Sequence, residues 1–320
     1  MITQRRLRHL LSLVEFGHFG RAAAALHISQ PALTKSIQAL EAELGVILLD
    51  RRRGAVSLTV FGELVVQRGR TLLNAEEDLQ REVSLLADLK SGSLRVAMGP
   101  YPSVVSGYPA MARLLARHPG LELAMRVAGW REVAQQVAGR EVDLGLAELS
   151  GALDDDQFET QMVGQHLGRV FCRPEHPLLA RGAVEPMELL AYPWISSRLP
   201  ARIAAGLPRS LGRAGRIDAV TGDFVPAIQV DVPMQLADLL AGSDALALAS
   251  LSLLERELEA GTVALLPTTQ IAFRAGYGFI HLKDRSLAPA AKAFMDEVRT
   301  VEAMTMQREQ ALAARFDSAA

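Results

Sequence analysis

The stretch that decides the fold is GRAAAALHISQPALTKSIQALEAEL, residues 20–44, where two short helical patterns meet at a tight polar turn. In the first, Arg21 to His27, Ala22, Ala23 and Ala25 let a neighbouring helix approach closely and Leu26 supplies the buried anchor. Small residues permit the steep crossing of a helix-turn-helix. Ile28 and Ser29 make the break. Ser29 is a good N-cap because its hydroxyl accepts a bond from a first-turn N–H, and Pro31 is tolerated there because it needs no donor. The second helix starts near Gln30, and Leu33, Ile37, Leu40 and Leu44 recur at three- and four-residue spacing, so they share an inward face. Ser29, Gln30, Pro31, Ala32, Thr34, Lys35 and Gln38 are left on the exposed first turns. Amide, hydroxyl, methyl and ammonium groups so placed can reach base edges and phosphates in a major groove.

Most amphipathic helix pairs are packing units, so the surroundings must decide. After Gly45 come two apolar runs, Val46 to Leu49 and Ala55 to Leu58, flanking the basic tip Asp50-Arg51-Arg52-Arg53-Gly54; this reads as a hairpin wing. Arg51, Arg52 and Arg53 are candidates for phosphate or minor-groove contact. Through residue 60, eight basic residues stand against four acidic ones, a net of +4, whereas the whole chain carries −2 and the remainder therefore −6. That asymmetry marks the N-terminus as the electrostatic footprint for nucleic acid.

The order of helix, helix-turn-helix with HISQPALTKSIQALEAELG, wing with LLDRRRGAVSLT, then FGE opening a long helix resembles the LysR-type transcriptional regulators. The one departure is Gly20, where such proteins place Ser or Thr to cap the first helix of the pair; glycine caps nearly as well. Thr59 to Leu89 contains no proline and reads as a single helix of roughly 45 Å at ~1.5 Å per residue. Val65, Leu72, Leu79 and Leu86 repeat every seven residues with a sparse companion seam, which favours homodimerisation over packing on the same chain. A dimer would set two recognition helices on half-sites ~34 Å or a multiple apart. The resemblance further implies dimers of dimers, double-stranded operator DNA and a small-molecule effector as partners, with RNA polymerase a further candidate.

From Leu94 the texture changes to alternating strand-like and helix-like runs: LRVAM, a helix over Val104 to Arg117, LELAMRV, a helix over Arg131 to Ala138, and VDLGLA. A second set runs through Arg169–Cys172, Tyr192–Ile195, Ala227–Val230, a helix over Met234 to Ala241, Ala245–Ala249 and Val263–Leu266. A strand at Ile271–Ile280 and a helix at Leu287–Val301 close it. Such alternation argues for parallel strands with crossover helices. The expected architecture is α/β: a winged helix-turn-helix at 1–58, a linker and dimerisation helix at 59–89, and a two-lobed domain at 90–304 resembling the periplasmic-binding-protein fold. Lobe I takes about 93–162 and 271–304, lobe II about 163–270, and residues 305–320 read as a C-terminal tail, either a surplus polar helix or a frayed end.

In open α/β lobes the carboxyl ends of strands face the cleft, so effector candidates are read off the strand-to-helix turns. These are Tyr101, Pro102 and Ser103 after the first strand, Gly129 and Trp130 after the second, Ser196, Ser197 and Arg198 after Trp194-Ile195, and Val232, Pro233 and Met234 opening a helix. Helix N-termini favour a small organic anion, and the aromatic wall leaves an apolar or aromatic metabolite as the alternative. Ser103 is equally well explained as a plain N-cap, Trp130 as surface packing and Arg198 as a solvated charge.

A chain of 320 residues with 49% hydrophobic content can bury several cores, and no apolar run approaches the ~18 to 20 residues of a membrane span. His9, Ser12 and Glu15 interrupt the N-terminal apolar stretch, against a secretory signal, so the expected location is cytoplasmic. Lone Cys172 reads as a buried small hydrophobe and Asp154-Asp155-Asp156 as a solvated loop. The seven histidines are scattered, and no CxxC, nucleophile elbow, phosphate loop or dinucleotide fingerprint occurs. No metal, cofactor or catalytic residue is expected. The competing reading is a solute-binding module or small-molecule enzyme built on the two-lobe domain alone, which the basic winged motif and long helix disfavour.

Overall fold

The computed structural model describes residues 3–50, 56–87, 92–181, 184–208, 210–231, 236–268, 273–283 and 285–316. Contacts divide the chain into two compact units, Met1–Asp88 with Gly139–Glu141, and Leu89–Ala138 with Val142–Ala320.

The first unit is built on α1 (Gln4–Phe16), α2 (Phe19–Ala25) and α3 (Gln30–Leu44). In α1, Leu7, Leu10 and Leu13 fall at three-residue spacing and are buried, and Gly17, left-handed at φ 61°, ends the helix. In α3 the predicted stripe holds, with Leu33, Ile37 and Leu40 buried and Ser29 capping through Ala32 N–H. Helix α2 differs from expectation at both ends. It begins at Phe19, because the Nδ1 of His18 accepts the Gly20 N–H at 3.0 Å, so His18 and not Gly20 is the cap. It stops at Ala25, with His27 left-handed at φ 54° carrying the turn. Leu26 is only half-buried and Ala25 is exposed; Ala22 and Ala23 make the close contact.

The wing is a two-residue ladder, β1 (Leu49–Asp50) antiparallel to β2 (Ser57–Leu58), shorter than the apolar runs predicted. The Glu41 carboxylate of α3 ties its base by accepting the Leu48 and Leu49 N–H groups. Residues 51–55, which carry Arg51, Arg52 and Arg53 of the basic tip, lie outside the described residues. Helix α4 (Val60–Ala87) is capped by Thr59, whose Oγ1 accepts the Gly62 N–H at 3.1 Å. A Cβ on Gly62 would stand 2.1 Å from the Leu48 carbonyl oxygen, so glycine is required where helix and wing touch.

The second unit is a mixed sheet of nine strands in the order β10-β7-β11-β6-β13-β5-β3-β4, with β12 also on β6. Lobe I comprises β3 (Ser93–Met98), β4 (Glu122–Val127), β5 (Leu144–Ala147) and β13 (Phe273–Leu282). Its helices are α5 (Pro100–Pro102), α6 (Tyr108–Arg117), α7 (Trp130–Ala138) and the first half of α12 (Pro289–Phe316). Lobe II comprises β7 (Trp194–Ser196), β10 (Ile228–Gln229), β11 (Leu246–Ala249) and β12 (Ala264–Leu265). Around these lie α8 (Pro186–Leu189), α9 (Ala201–Ala204), α10 (Leu236–Ala241) and α11 (Glu255–Glu259), with a separate hairpin of β8 (Gly215–Ile217) and β9 (Phe224–Pro226). Strands β3, β4 and β5 run parallel, as do β7, β10 and β11, while β6 and β13 are antiparallel to their neighbours. Apolar cores on both faces of the sheet, around Phe279 and Phe294 in lobe I and around Phe171 and Trp194 in lobe II, fix its position.

Two expectations about this unit need correction. The strand read at Arg169–Cys172 is the end of β6, Phe158–Cys172. It pairs with β13 through Gly168 and with β11 from Arg169, so the lobes meet at 168–169 and not near Val163. Of the two readings of 305–316 the helix is the right one, but it is neither surplus nor a separate tail. Helix α12 continues to Phe316, with Phe294 and Val298 in the core of lobe I and Leu312 in that of lobe II. The predicted helix over Val104 to Arg117 is real but irregular: Ser103–Gly107 winds as a π-helix before α6.

Candidate functional site

On α3 the side chains of Gln30, Pro31, Ala32, Lys35 and Gln38 are exposed on the face opposite the buried leucines. Ser29 is committed as the cap, and the half-buried Thr34 donates its hydroxyl to the Gln30 carbonyl at 3.0 Å. Of the α1 bases, Arg6 pairs with Glu43 at 2.5 Å and Arg8 with Glu76 at 3.3 Å, whereas Arg5, together with Arg21 of α2 and Lys35 of α3, is exposed. An amide and an ammonium on one open helical face beside uncovered guanidiniums can read a base edge and hold phosphates.

In the second unit, the carboxyl ends of β3, β4, β5, β7 and β11 surround a cavity of about 120 Å³. Of the predicted residues, Tyr101, Pro102, Trp130, Ser196, Ser197 and Arg198 line it. Gly129 lines an adjoining outer bowl of about 440 Å³ that shares Pro100, Trp130, Ser197 and Arg198 with the inner chamber. Ser103 does not face the cavity as a ligand: it is buried, its hydroxyl donating to the Pro100 carbonyl at 2.7 Å within the irregular helix. Val232, Pro233 and Met234 lie outside the described residues. The chamber is walled mostly by carbon, including Pro200, Ile203 and Leu248, none of which the strand-end rule singled out.

Two ionic clasps cross the mouth between the lobes. Arg131, at the start of α7, donates from both terminal nitrogens to Asp223 at 2.5 and 3.0 Å. Asp223 is fully buried and also accepts from Arg198 Nε at 3.0 Å and the Ala201 N–H at 3.1 Å. Burial opposes its ionisation, but the bonds from Arg131 and Thr221 outweigh that and hold its carboxyl below the usual range. The other clasp joins Arg202 to Glu148 through Nε at 2.6 Å and to Ser150 Oγ at 2.9 Å. Arg198 is also held by Asp218 at 3.0 Å, a carboxyl kept at about 2 chiefly by backbone N–H bonds from Thr221 and Val220.

Beneath the chamber lies a polar network that the sequence did not announce. His166 of β6, 1% exposed, sits between Glu302 (Nε2 at 3.1 Å) and Glu309 (Nδ1 at 3.0 Å) of α12. Tyr277 of β13 donates to Glu302 and lies 3.0 Å from the Ser106 hydroxyl, and Ser252 donates to Glu309 at 2.5 Å. Burial alone would depress the imidazole, but the two carboxylates win and raise it to about 9, so His166 is a cation at neutral pH. Its partners lie 136 and 143 residues away, beyond any local signal; the only hint was a histidine between Val163 and Val170.

Cys172, the last residue of β6, is buried with its thiol pushed up to about 12 by burial, and Asp154, Asp155 and Asp156 are exposed. Among the described residues no cluster of three potential metal ligands occurs, and no helix is long and apolar enough to cross a membrane.

Residues 4–63 match the family model described as bacterial regulatory helix-turn-helix protein, lysR family, and residues 87–303 that of the LysR substrate binding domain. The chain is 38% identical over 305 residues to the SDS degradation transcriptional activation protein of a Pseudomonas species, covering 94% of this chain and 97% of that one. It is 28% identical to the HTH-type transcriptional regulator GbpR of Azospirillum brasilense, covering 95% of this chain and 88% of the relative. The fold is shared with full-length OxyR from Pseudomonas aeruginosa, at TM-score 0.64 and 17% identity over 93% of this chain and 95% of that one. It is shared too with CbnR in complex with its target DNA, at TM-score 0.61 and 19% identity over 94% of this chain and all of the other. This chain belongs to the LysR family of ligand-responsive bacterial transcriptional regulators.

Proposed function

We propose that this regulator binds operator DNA as a homodimer paired along α4, assembled further into a tetramer, and responds in the cytoplasm to a hydrocarbon effector held in the chamber between its lobes. The observation that carries the effector class is the carbon-rich wall of the chamber, from Pro100 and Tyr101 to Ile203 and Leu248. The lining supports the apolar alternative over the organic anion. The Pseudomonas relative, a transcriptional activation protein of SDS degradation, supports the same direction, since SDS is an alkyl compound.

DNA contact is assigned to Gln30, Pro31, Ala32, Lys35 and Gln38 for the major groove, with Ser29 and Thr34 at its edge and Arg51, Arg52 and Arg53 on neighbouring phosphates or the minor groove. Leu72 and Leu79, both exposed on α4, support the paired arrangement. A ligand shifts two arrangements only by its differential affinity for them. Closure across the Arg131–Asp223 and Arg202–Glu148 clasps is where that difference arises, and RNA polymerase is the partner through which an altered complex would act.

The test is a mobility-shift and footprinting titration on DNA upstream of the protein's own gene, with and without ten-carbon alkyl compounds. A specific, salt-sensitive complex whose footprint changes on adding the alkyl compound is expected. A specific complex indifferent to every alkyl compound would overturn the effector class, and no specific complex at all would return the solute-binding reading.

A further inference from the structure

The turn between α1 and α2 carries a side chain outside the set assigned to DNA. His18 caps α2, its Nδ1 accepting the Gly20 N–H at 3.0 Å. A backbone N–H can only donate, so the ring lone pair stands on Nδ1. The imidazole is then neutral, with its proton on Nε2. The cap thus fixes a directional donor at the far side of the ring as well as the start of a helix. The residue is exposed, and among the described residues no acceptor stands against Nε2.

Beside that ring lies Gln30. A Cβ on Gly20 would stand 3.2 Å from both Cε1 and Nδ1 of His18 and 3.8 Å from the Gln30 side-chain oxygen. Imidazole and amide therefore flank one small gap, where the first turns of α2 and α3 come together. The bare backbone at position 20 keeps this gap open, since a side chain there would crowd the ring. In a helix-turn-helix the second helix enters the major groove while the first crosses the sugar-phosphate strand, so a base edge at Gln30 brings phosphates toward the start of α2. A phosphate oxygen only accepts, which matches the one donor His18 presents. Arg21, the second residue after Phe19, is exposed as well, so nothing anionic from α2 opposes a phosphate there.

We infer that His18 is a further DNA-contact residue, its Nε2–H donating to a phosphate oxygen beside the base that Gln30 reads. One imidazole then does two things at once: Nδ1 holds the helix start and Nε2 holds the strand. Because the ring is neutral, the contact fixes register without displacing a counterion. The inference rests on the reading of the open α3 face as the DNA surface.

Two substitutions in the full-length protein separate the contact from the cap. His18→Asn keeps an acceptor near the Nδ1 position and deletes the distal donor; asparagine is among the best N-caps, so the melting temperature should hold. His18→Gln sets an amide N–H near the Nε2 position and gives up the cap. Fluorescence anisotropy on upstream and scrambled duplexes across a range of salt reads the outcome. His18→Asn should weaken binding about three- to tenfold on both DNAs with the salt slope unchanged, because a phosphate carries no sequence information and the lost donor no charge. His18→Gln should bind more tightly than His18→Asn despite a lower melting temperature. Wild-type affinity in His18→Asn overturns the inference, and so does a loss confined to the upstream DNA, which would make the contact a base reading. A flatter salt slope overturns the neutral donor. Gln30→Ala run alongside distinguishes the failures: if it loses specific binding while His18→Asn binds as wild type, this inference falls alone, and if both bind as wild type the α3 reading falls with it. Should His18→Gln fail to fold, the affinity, slope and melting temperature of His18→Asn decide.

Discussion

Raising the pH from 7 to 9.5 should destabilise the effector domain through one side chain. His166 is lifted from 6.5 to about 9 by Glu302 and Glu309, which outweigh its burial. The native state therefore keeps a proton that the unfolded chain releases above pH 6.5, and stability falls as pH rises. The full contribution is present below pH 6.5 and is gone once the pH passes about 9. A group so shifted is worth about 2 to 3 kcal/mol at neutral pH, a sizeable share of the roughly 5 to 15 kcal/mol that holds a domain folded. Urea denaturation followed by tryptophan fluorescence isolates the effect, because the chain's two tryptophans, Trp130 and Trp194, both lie in the second unit. The unfolding free energy should drop by about 2 to 3 kcal/mol between pH 7 and 9.5, and His166→Gln should remove the slope while lowering stability at pH 7. Glu309, held below its usual range by His166, adds a loss on the acid side as pH falls below 4.5. A flat profile, or the same slope in His166→Gln, would refute the reasoning.

Leu72 and Leu79 are each 62% exposed, so covering them in a dimer contributes ~1 to 2 kcal/mol per side chain and ~4 to 8 kcal/mol for the four together. Leu72→Gln with Leu79→Gln should therefore release monomers at micromolar concentration in sedimentation velocity, and an unchanged dimer would place the interface elsewhere. Arg131→Ala strips two hydrogen bonds from the fully buried Asp223 and should cost about 1 to 3 kcal/mol in the same urea assay, with Asp223→Asn in that background recovering part of it. Equal stability of wild type and Arg131→Ala would mean that solvent already screens the clasp.

The first unit was legible because its determinants are local. Ser29, Pro31 and the Leu33-Ile37-Leu40 spacing set α3 to its first residue, and Thr59 set the start of α4. The cap of α2 was not legible because an imidazole is an uncommon acceptor at that position, and Gly20 is the residue that cap preferences favour. In the second unit the strand-end rule found six residues of the chamber wall. It failed at Ser103, where a π-helical turn directs the hydroxyl back to its own backbone. Strand β6 was read four residues long because its partner β13 begins about a hundred residues later, and pairing at that separation leaves no pattern nearby. Separation also hid His166, whose role is set by Glu302 and Glu309 of α12, the second of them in the stretch read as a surplus helix or tail.

That the open face of α3 reads duplex sequence is the claim on which the rest depends. It is tested most directly by measuring the affinity of wild type and Gln30→Ala for upstream DNA and for scrambled DNA across a range of salt. The account predicts a loss of ~1 to 3 kcal/mol on the specific site with scrambled-DNA affinity and salt slope unchanged. An equal loss on both DNAs, or no specific binding by the wild type, would contradict it.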